Sequence, residues 1–295
     1  MEAASPRSAW AHLRRKLDIL GCMGTVCFKT RLIGFFLVAA LLAGNTLSAQ
    51  GNKSVLPPFP DTTLFESRRY VEGNDTLSYR LYRSVKAESA TEAVPLVVFL
   101  HGAGERGNDN TQQLLHCIRF FLADSVTSRY PFLLLVPQCP NEKRWVNTDW
   151  TLPEHQMEEE PTAQMKAVFS LIDCLNGCGV TDANRVYICG ISMGGFGVWD
   201  ALQRRPETFA AAIAICGGGD PAYAEGMKDT PVYIFHGKKD KLVKPIRSEQ
   251  MYKALRAVGN TKAVFVSYPE AGHLCWDKAF STPGIFKWLF GHELH

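Results

Sequence analysis

The sequence predicts an α/β protein built on a mostly parallel β-sheet, and three observations support this fold class. Short apolar runs without polar alternation recur from about residue 95 onwards, as expected of strands covered on both faces. Segments of helical periodicity separate these runs, which is the pattern of β–α–β units. The length of 295 residues, with 46% hydrophobic and 21% charged residues, suits one large globular domain.

The N-terminal segment 1–49 differs from the rest of the chain and predicts an export signal. It holds six basic and two acidic residues, so the formal net charge of +3 leaves about −1 for the remaining residues. This near-neutral remainder argues against binding of nucleic acid or of an anionic membrane surface. A basic flank, the apolar run 32–43 and a small-residue exit at 47–50 are typical of a cleavable secretory signal. A membrane span would need about twenty apolar residues.

Cleavage of this segment would give a secreted or periplasmic protein without stable membrane insertion. The alternative is an uncleaved N-terminal anchor. Met23 would begin a signal of more usual length than Met1 does, so residues 1–22 are left out of the fold prediction. The Pro-rich segment 50–61 is predicted as an extended arm, and residues 62–295 as a single domain.

The predicted domain begins with an antiparallel β-hairpin. The strand-like runs 64–72 and 77–85 flank Gly-Asn-Asp at 73–75, which is turn chemistry. The polar segment 86–93 is predicted as a loop.

Two strands that are apolar throughout are predicted next, at 95–100 and 132–137, with a helix at 111–123 between them. A polar loop that contains two tryptophans follows at 141–160. Pro161 then opens an amphipathic helix that ends near residue 175.

The rest of the chain continues the alternation of strands and helices. The remaining predictions are strands at 185–189, 210–216, 231–235 and 263–268, helices after residue 192 and at 245–258 and 283–290, and a glycine-rich loop at 217–230.

The stretch Gly-Ile-Ser-Met-Gly at 190–194 lies between a predicted buried strand and a helix. In this context the turn pushes Ser192 out at the carboxyl end of the sheet, and the flanking glycines let strand and helix approach closely. A serine hydroxyl becomes a nucleophile only when a base takes its proton. The motif therefore requires a histidine and an acid later in the chain.

His273 and Asp240 are the predicted base and acid. His273 follows the last predicted strand and is the only histidine between Asp240 and the extreme C-terminus. Asp240 follows the strand 231–235 and gives the chain order Ser, Asp, His. His236, at the end of that strand, is interpreted as structural. The rival acids are Asp220, Asp229 and Asp277.

The end of the strand 95–100 carries His-Gly-Ala-Gly, whose glycines would leave backbone amides free. We expect the amides of Ala103 and Met193 to form an oxyanion hole, with a plain glycine turn as the alternative. Trp145 and Trp150 are predicted to border the cleft and bind substrate, with core packing as the alternative. Histidines and cysteines show no metal-ligand spacing, so no metal is expected.

Together, Gly-Ile-Ser-Met-Gly-Gly at 190–195, His-Gly-Ala-Gly-Glu-Arg-Gly at 101–107, Asp240 and His273 resemble the α/β-hydrolase superfamily. More narrowly they are similar to the phospholipase/carboxylesterase group and to feruloyl- and acetylxylan-esterase-like enzymes, the polyhydroxybutyrate-depolymerase-like group. The resemblance extends over about 64–290. It implies an eight-stranded sheet with helices on both faces and a serine esterase without a cofactor.

The predicted function is therefore that of an exported serine carboxylesterase acting on short-chain or aromatic acyl esters. Feruloyl or acetyl groups on plant polysaccharide are candidate substrates. The sequence has no long insertion for a helical lid and no N-terminal propeller, which argues against an interfacial lipase and a gated oligopeptidase. The alternatives are a prolyl-oligopeptidase-like serine peptidase and a catalytically silent carbohydrate-binding protein. The acyl group, the alcohol and the oligomeric state stay open.

Overall fold

A computed structural model describes residues 60–72 and 75–294. The predicted signal at 1–49, most of the predicted arm at 50–61 and the tip of the predicted hairpin lie outside the described residues. None of the helices in the described part is long and apolar enough to cross a membrane.

Eight strands form one sheet in the order β1-β2-β4-β3-β5-β6-β7-β8. The strands are β1 Glu66–Glu72, β2 Asp75–Arg83, β3 Val94–Leu100, β4 Leu133–Gln138, β5 Thr181–Ile191, β6 Ala211–Ile215, β7 Val232–Gly237 and β8 Val264–Tyr268. β2 pairs antiparallel with β1 and with β4, and every other pairing is parallel. The prediction of a mostly parallel eight-stranded sheet with an antiparallel N-terminal hairpin is confirmed.

Helices cover both faces of the sheet. The α-helices are α1 Val85–Glu88, α2 Ile118–Phe121, α3 Asp124–Thr127, α4 Ala163–Gly177, α5 Met193–Arg204, α6 Ile246–Ala257, α7 Trp276–Phe280 and α8 Ile285–Leu289. Short 3₁₀ turns lie at Thr62–Leu64, Ala103–Glu105, Gln112–Leu114, Pro206–Thr208 and Pro221–Met227.

Strand β3 shows why the apolar runs lack alternation. All seven of its residues are buried. Leu96 and Val98 belong to the core layer under α4, α5 and α6, whereas Val97 and Phe99 belong to the layer under α2, α7 and α8. A strand between two helical layers must be apolar on both faces, which is what the sequence shows.

The helix predicted at 111–123 is wrong. The segment is a 3₁₀ turn at Gln112–Leu114 and a single helical turn, α2, separated by Cys117 at φ 65°. A left-handed residue cannot continue a right-handed helix. Leu114, Cys117 and Phe121 nevertheless pack into one core layer, so their helical spacing reports burial and not a continuous helix.

Two helix starts differ from the predictions, and three short helices were not predicted. The C-terminal helix α8 begins at Ile285, because Gly284 adopts φ 79° before it. Helix α4 begins at Ala163, where Thr162 caps the amide of Met165 at 3.2 Å. Helices α3 and α7 were not predicted, nor was the short helix α1, which lies where a strand end and a loop were predicted.

Candidate active site

Ser192 lies at the junction of β5 and α5 with φ 53° and ψ −119°. Such a backbone conformation is sparsely populated, and it costs a non-glycine residue on the order of 1–3 kcal/mol. The flanking glycines explain how the turn forms. A Cβ on Gly190 would overlap the carbonyl of Gly194, and one on Gly194 would overlap the carbonyl of Leu100. Strand β5, helix α5 and strand β3 can therefore meet at backbone contact only with glycine at both positions.

The structure brings the predicted nucleophile, base and acid together. His273 Nε2 lies 2.8 Å from Ser192 Oγ, and His273 Nδ1 lies 2.7 Å from Asp240 Oδ2. Each side chain comes from a loop at the carboxyl end of a parallel strand, namely β5, β7 and β8. With Nδ1–H donating to the carboxylate, Nε2 is free to accept the serine proton.

Asp240 is buried and holds its charge through four hydrogen bonds. Oδ1 accepts the amides of Leu242 and Val243 at 2.9 Å each, and Oδ2 accepts His273 at 2.7 Å and His236 at 3.1 Å. Burial alone would raise the pKa of Asp240, but the hydrogen bonds outweigh it, so its pKa lies well below the usual 3.8. The carboxylate is therefore ionised near neutral pH.

The rival acids lie elsewhere. Asp220 caps the turn Pro221–Met227 through Ala222 and also accepts the amide of Met157 at 3.0 Å. Asp277 pairs with Arg119 at 2.5 Å, and Asp229 is exposed.

His236, which the sequence analysis interprets as structural, contacts the carboxylate of Asp240 directly. Its side chain is fully buried, with Nε2 at 3.1 Å from Asp240 Oδ2 and 3.0 Å from the carbonyl of Val243. Nε2 faces two acceptors and must carry a proton. Nδ1 lies 2.8 Å from Ser248 Oγ, and the same hydroxyl oxygen lies 2.9 Å from the carbonyl oxygen of Gly217. Its position four residues before the acid was the only sequence signal for this contact.

The amides of Ala103 and Met193 are available for an oxyanion. Ala103 begins the turn after β3 and Met193 begins α5, and neither N–H has an acceptor among the residues that the structure describes. Arg106 Nε donates to the carbonyl of Ala103 at 2.9 Å, which fixes the peptide group that follows the Ala103 amide. Gly102 lies directly at the nucleophile, since a Cβ there would be 3.5 Å from Ser192 Cβ.

His101 anchors the turn that carries the Ala103 amide, which we call the oxyanion turn (residues 102–105). Nε2 accepts the amide of Cys139 at 2.9 Å, which leaves Nδ1 to donate to the carbonyl of Gly102 at 2.6 Å. Burial lowers the pKa of His101 to about 4, so the ring is neutral. A neutral ring with one donor and one acceptor matches both partners.

Three site residues were missed by sequence reasoning. Glu105 is the buried last residue of the turn Ala103–Glu105, and burial raises the pKa of its carboxyl group. His116 Nε2 lies 3.5 Å from Glu105 Oε1. The Trp276 ring lies 5.4 Å from the His273 ring and 5.6 Å from the His116 ring, between centroids. Glu105 lay inside the glycine-rich stretch of the sequence, but only the tertiary fold brings His116 and Trp276 to it.

The substrate-binding prediction for Trp145 is wrong. Its ring is 0% exposed, packs against His101 and donates Nε1–H to the carbonyl of that residue at 3.0 Å. A fully enclosed ring cannot stack on a substrate, so Trp145 supports the oxyanion turn as part of the core. Trp150 is partly buried against the core, and the Arg144 guanidinium lies 4.3 Å from its ring centroid. Its role in substrate binding stays a prediction.

The loop at 141–160 is tied down by one buried arginine. Arg247 on α6 donates to the carbonyls of Leu152 and Asp149 at 2.7 and 2.8 Å, and its Nη1 lies 2.6 Å from His155 Nδ1. Burial lowers the pKa of His155 to about 4, so Nδ1 can accept from the guanidinium. The arginine thereby fixes the position of this loop at the edge of the site.

Comparison with known proteins gives consistent relatives. Residues 83–282 match the phospholipase/carboxylesterase family model. NocK of Nocardia uniformis subsp. tsuyamanensis, named as an esterase, is 26% identical over 63% of this chain and 51% of its own length. A protein of Oryza sativa subsp. japonica named as a carboxylesterase is 24% identical over 62% of this chain and 82% of its own length. The chain thus spans about half the length of the Nocardia relative.

A solved structure supports the same assignment. The crystal structure of a thermostable esterase matches with a TM-score of 0.72 and 32% identity, covering 79% of this chain and 64% of that chain. The family match spans more than half of the present chain and includes Ser192, Asp240 and His273. The chain therefore belongs to the phospholipase/carboxylesterase family of α/β-hydrolases.

Proposed function

We propose that the protein is an exported serine carboxylesterase that hydrolyses short-chain or aromatic acyl esters. One observation carries this proposal: the continuous hydrogen-bonded chain from Ser192 through His273 to Asp240, beside two amides without acceptors. This is the arrangement that acyl transfer through a serine requires. The esterase names of the relatives support the choice of ester over other acyl substrates.

The geometry suggests the following steps. Ser192 Oγ attacks the ester carbonyl carbon while His273 Nε2 takes its proton, and the amides of Ala103 and Met193 hold the oxyanion. Asp240 stabilises the imidazolium without accepting its proton, since the pKa of this carboxyl is held low. His273 then gives the proton to the leaving alcohol as the carbon–oxygen bond breaks. A water that His273 deprotonates releases the acid from Ser192 by the reverse sequence.

Two exposed leucines next to the catalytic loops favour small acyl groups as substrates. Leu274, next to His273, is 76% exposed, and Leu242, near Asp240, is 61% exposed. These apolar side chains can contact a short acyl group, whereas a long chain would extend over open surface. Trp145 and Trp276 are both buried, so the partly buried Trp150 stays the tryptophan that we propose meets an aromatic acyl group. Feruloyl and acetyl esters of polysaccharide are therefore the candidate substrates.

Hydrolysis of p-nitrophenyl acetate and labelling by a fluorophosphonate probe test the reaction class. We expect turnover and labelling by the wild type and neither by Ser192→Ala, whose loss of turnover should be about a million-fold. Faster cleavage of a prolyl-nitroanilide than of the acetate would favour a peptidase. Absence of labelling in the folded wild type would favour a catalytically silent binding protein.

Export is tested separately. The sequence at 1–49 supports a cleavable signal. We expect the full chain, expressed in a bacterium, to appear in the periplasm or medium with an N-terminus near residue 50. An uncleaved protein in the membrane fraction would contradict this part of the proposal and leave the esterase assignment untouched.

A further inference from the structure

Two cysteine side chains are in contact beneath the loop that carries His273. Cys216 follows β6, and Cys275 precedes α7 two residues after His273. Their Sγ atoms are 3.3 Å apart, and both residues are buried. The proposed ester chemistry uses neither thiol.

The backbone of Cys216 adopts a left-handed conformation, and this conformation positions its thiol next to Cys275. Cys216 has φ 50°, a conformation that glycine adopts far more easily than a side-chain-bearing residue. Its amide donates to Phe235 of β7 at 2.9 Å, so the conformation is fixed from the sheet. The next residue, Gly217, is wedged against Gly195 of α5, where a Cβ would overlap backbone atoms. The turn therefore aims Sγ at the histidine loop, where it also lies 3.4 Å from the carbonyl of His273.

We propose that Cys216 and Cys275 are a disulfide-forming pair whose oxidation ties the histidine loop to the end of β6. A disulfide needs the sulfurs at about 2.05 Å, so they must approach by only about 1.3 Å, which small side-chain rotations can supply. The bond would join residues 59 positions apart in the chain. In the oxidising compartment implied by export, such pairs persist.

The oxidant is a small disulfide such as oxidised glutathione. The Cys275 thiolate attacks one of its sulfurs, which forms a mixed disulfide and releases one thiol that carries the proton lost by Cys275. The Cys216 thiolate then attacks the Cys275 sulfur, and the second thiol leaves with the proton of Cys216. Two protein thiols and one small disulfide become one protein disulfide and two small thiols.

The order of attack follows from the contact between the thiols. The hydrogen-bonding contact between the two thiols lowers the pKa of Cys275, while the same contact and burial raise the pKa of Cys216. Cys275 is therefore the thiol that ionises first and reacts first.

The expected consequence is a histidine loop that resists thermal unfolding. The loop is otherwise attached through few backbone bonds, among them Lys239 N–H to the carbonyl of Ala271 at 2.9 Å. Closing a long chain segment restricts the unfolded state, so the oxidised protein should melt about 5–10 °C above the reduced protein. The sulfurs already touch, so the hydrogen bonds of His273 to Ser192 and Asp240 should be retained.

The test uses the full chain incubated with oxidised glutathione, quenched in acid, unfolded and alkylated. Peptide mapping should then find the peptide with Cys216 joined to the peptide with Cys275, and dithiothreitol should remove both this bond and the gain in melting temperature. Cys275→Ser should show no reductant-sensitive shift. Cys189→Ala, which removes a buried thiol of β5 outside the pair, should show the same shift as the wild type.

Alkylation of both thiols after oxidation, or glutathione retained on Cys275 with Cys216 alkylated, would overturn the proposal. A linkage of either cysteine to a different cysteine would overturn it as well. Mapping of the wild type decides the matter even if Cys275→Ser does not fold. No substrate enters the measurement, so a failed esterase assay and a failed disulfide assay are separate results.

Discussion

At Ser192, the adjacent residues in the chain determine the backbone conformation, so this conformation could be predicted from the sequence. The glycines around Ser192 were visible in the sequence and predicted the strained turn, because the turn depends on adjacent residues only. The contacts of Asp240 join loops after β7 and β8, and its place directly after a strand, together with chain order, selected this acid from its rivals. The enclosure of Trp145 could not be predicted, since it depends on His101, more than forty residues away. A conformation that depends on adjacent residues can thus be predicted from the sequence, whereas the exposure of a side chain such as Trp145 cannot.

Replacing Asp240 with asparagine should reduce kcat by about ten-thousand-fold. An amide cannot hold the His273 ring in the tautomer that accepts the serine proton. Asp220→Asn is the matched control, since this acid caps a turn and contacts Met157 and not His273. The amide oxygen can still cap the turn, but Met157 N–H loses its acceptor, so stability should fall by about 1 kcal/mol and kcat should stay nearly unchanged. Steady-state kinetics on p-nitrophenyl acetate measure both variants, and a larger kcat loss for Asp220→Asn would reject the assignment of the acid.

The same carboxylate should make stability depend on pH in the acidic range. The pKa of Asp240 is depressed in the folded protein, so its contribution to stability is fully present above the unfolded value near 3.8. That contribution is lost as the pH falls below this value towards the lower folded pKa. Urea unfolding should therefore show a constant gap between wild type and Asp240→Asn from pH 7 down to about 5 and a shrinking gap below pH 4. A gap that widens in acid would contradict the depressed pKa.

His236 should act on turnover through Asp240 rather than on substrate binding. His236→Leu removes the Nε2–H donor from the buried carboxylate, a charge-assisted bond whose loss we expect to lower kcat about 10- to 100-fold. KM should not change, because the fully buried ring cannot contact substrate. His236→Gln offers an amide donor and should recover part of the loss. An equal loss in both variants would point to packing alone, and ¹⁵N NMR of the wild type should find Nε2 protonated.

At the scale of elements, apolar pattern predicted strands well and short helices poorly. All eight strands of the described sheet were predicted. Strands such as β3 are apolar along their length because they lie between two helical layers, whereas the hairpin strands β1 and β2 were predicted from the turn residues between them. The segment at 111–123 failed because Cys117 breaks the helix while Leu114 and Phe121 keep helical spacing. Its broken geometry is set by what packs around it, and no residue in the segment signals the left-handed conformation. Boundary errors at α4 and α8 reflect capping by Thr162 and Gly284.

The packing of α5 on β3 and β5 depends on glycine, which gives a prediction for stability. Gly194→Ala would drive a Cβ into the carbonyl of Leu100 and should destabilise the fold by more than about 4 kcal/mol. Gly177→Ala, at the end of α4, meets nothing within 4 Å and should stabilise the fold by about 0.5 kcal/mol. Denaturant unfolding monitored by circular dichroism compares the two. A Gly194→Ala protein with wild-type stability would contradict the close approach of strand and helix.

At the scale of the whole molecule, the parallel sheet explains why distant residues meet. Strands β3, β5, β7 and β8 run in one direction, so the loops after them gather at one edge. This rule let the sequence predict one site for Ser192, Asp240 and His273. It does not reveal which side chains line the mouth of that site. The exposure of Leu242 and Leu274, in the loops after β7 and β8, became visible only when the loops were in place.

The exposed mouth leads to a prediction about acyl chain length. Leu242 and Leu274 follow Asp240 and His273 closely in the chain and have most of their surface in solvent, so we expect them to offer apolar contact to a short acyl group on Ser192. Each acyl methylene buried in a pocket would contribute about 0.8 kcal/mol, and one left in water contributes almost nothing. We therefore expect p-nitrophenyl acetate and butyrate to be cleaved far faster than the palmitate, measured below the concentration at which the palmitate aggregates. Leu274→Asn should raise KM for the butyrate more than for the acetate, because it removes apolar surface that the acetate does not reach. Equal or faster cleavage of the palmitate would show that a long acyl-binding groove exists and would reject the short-chain assignment.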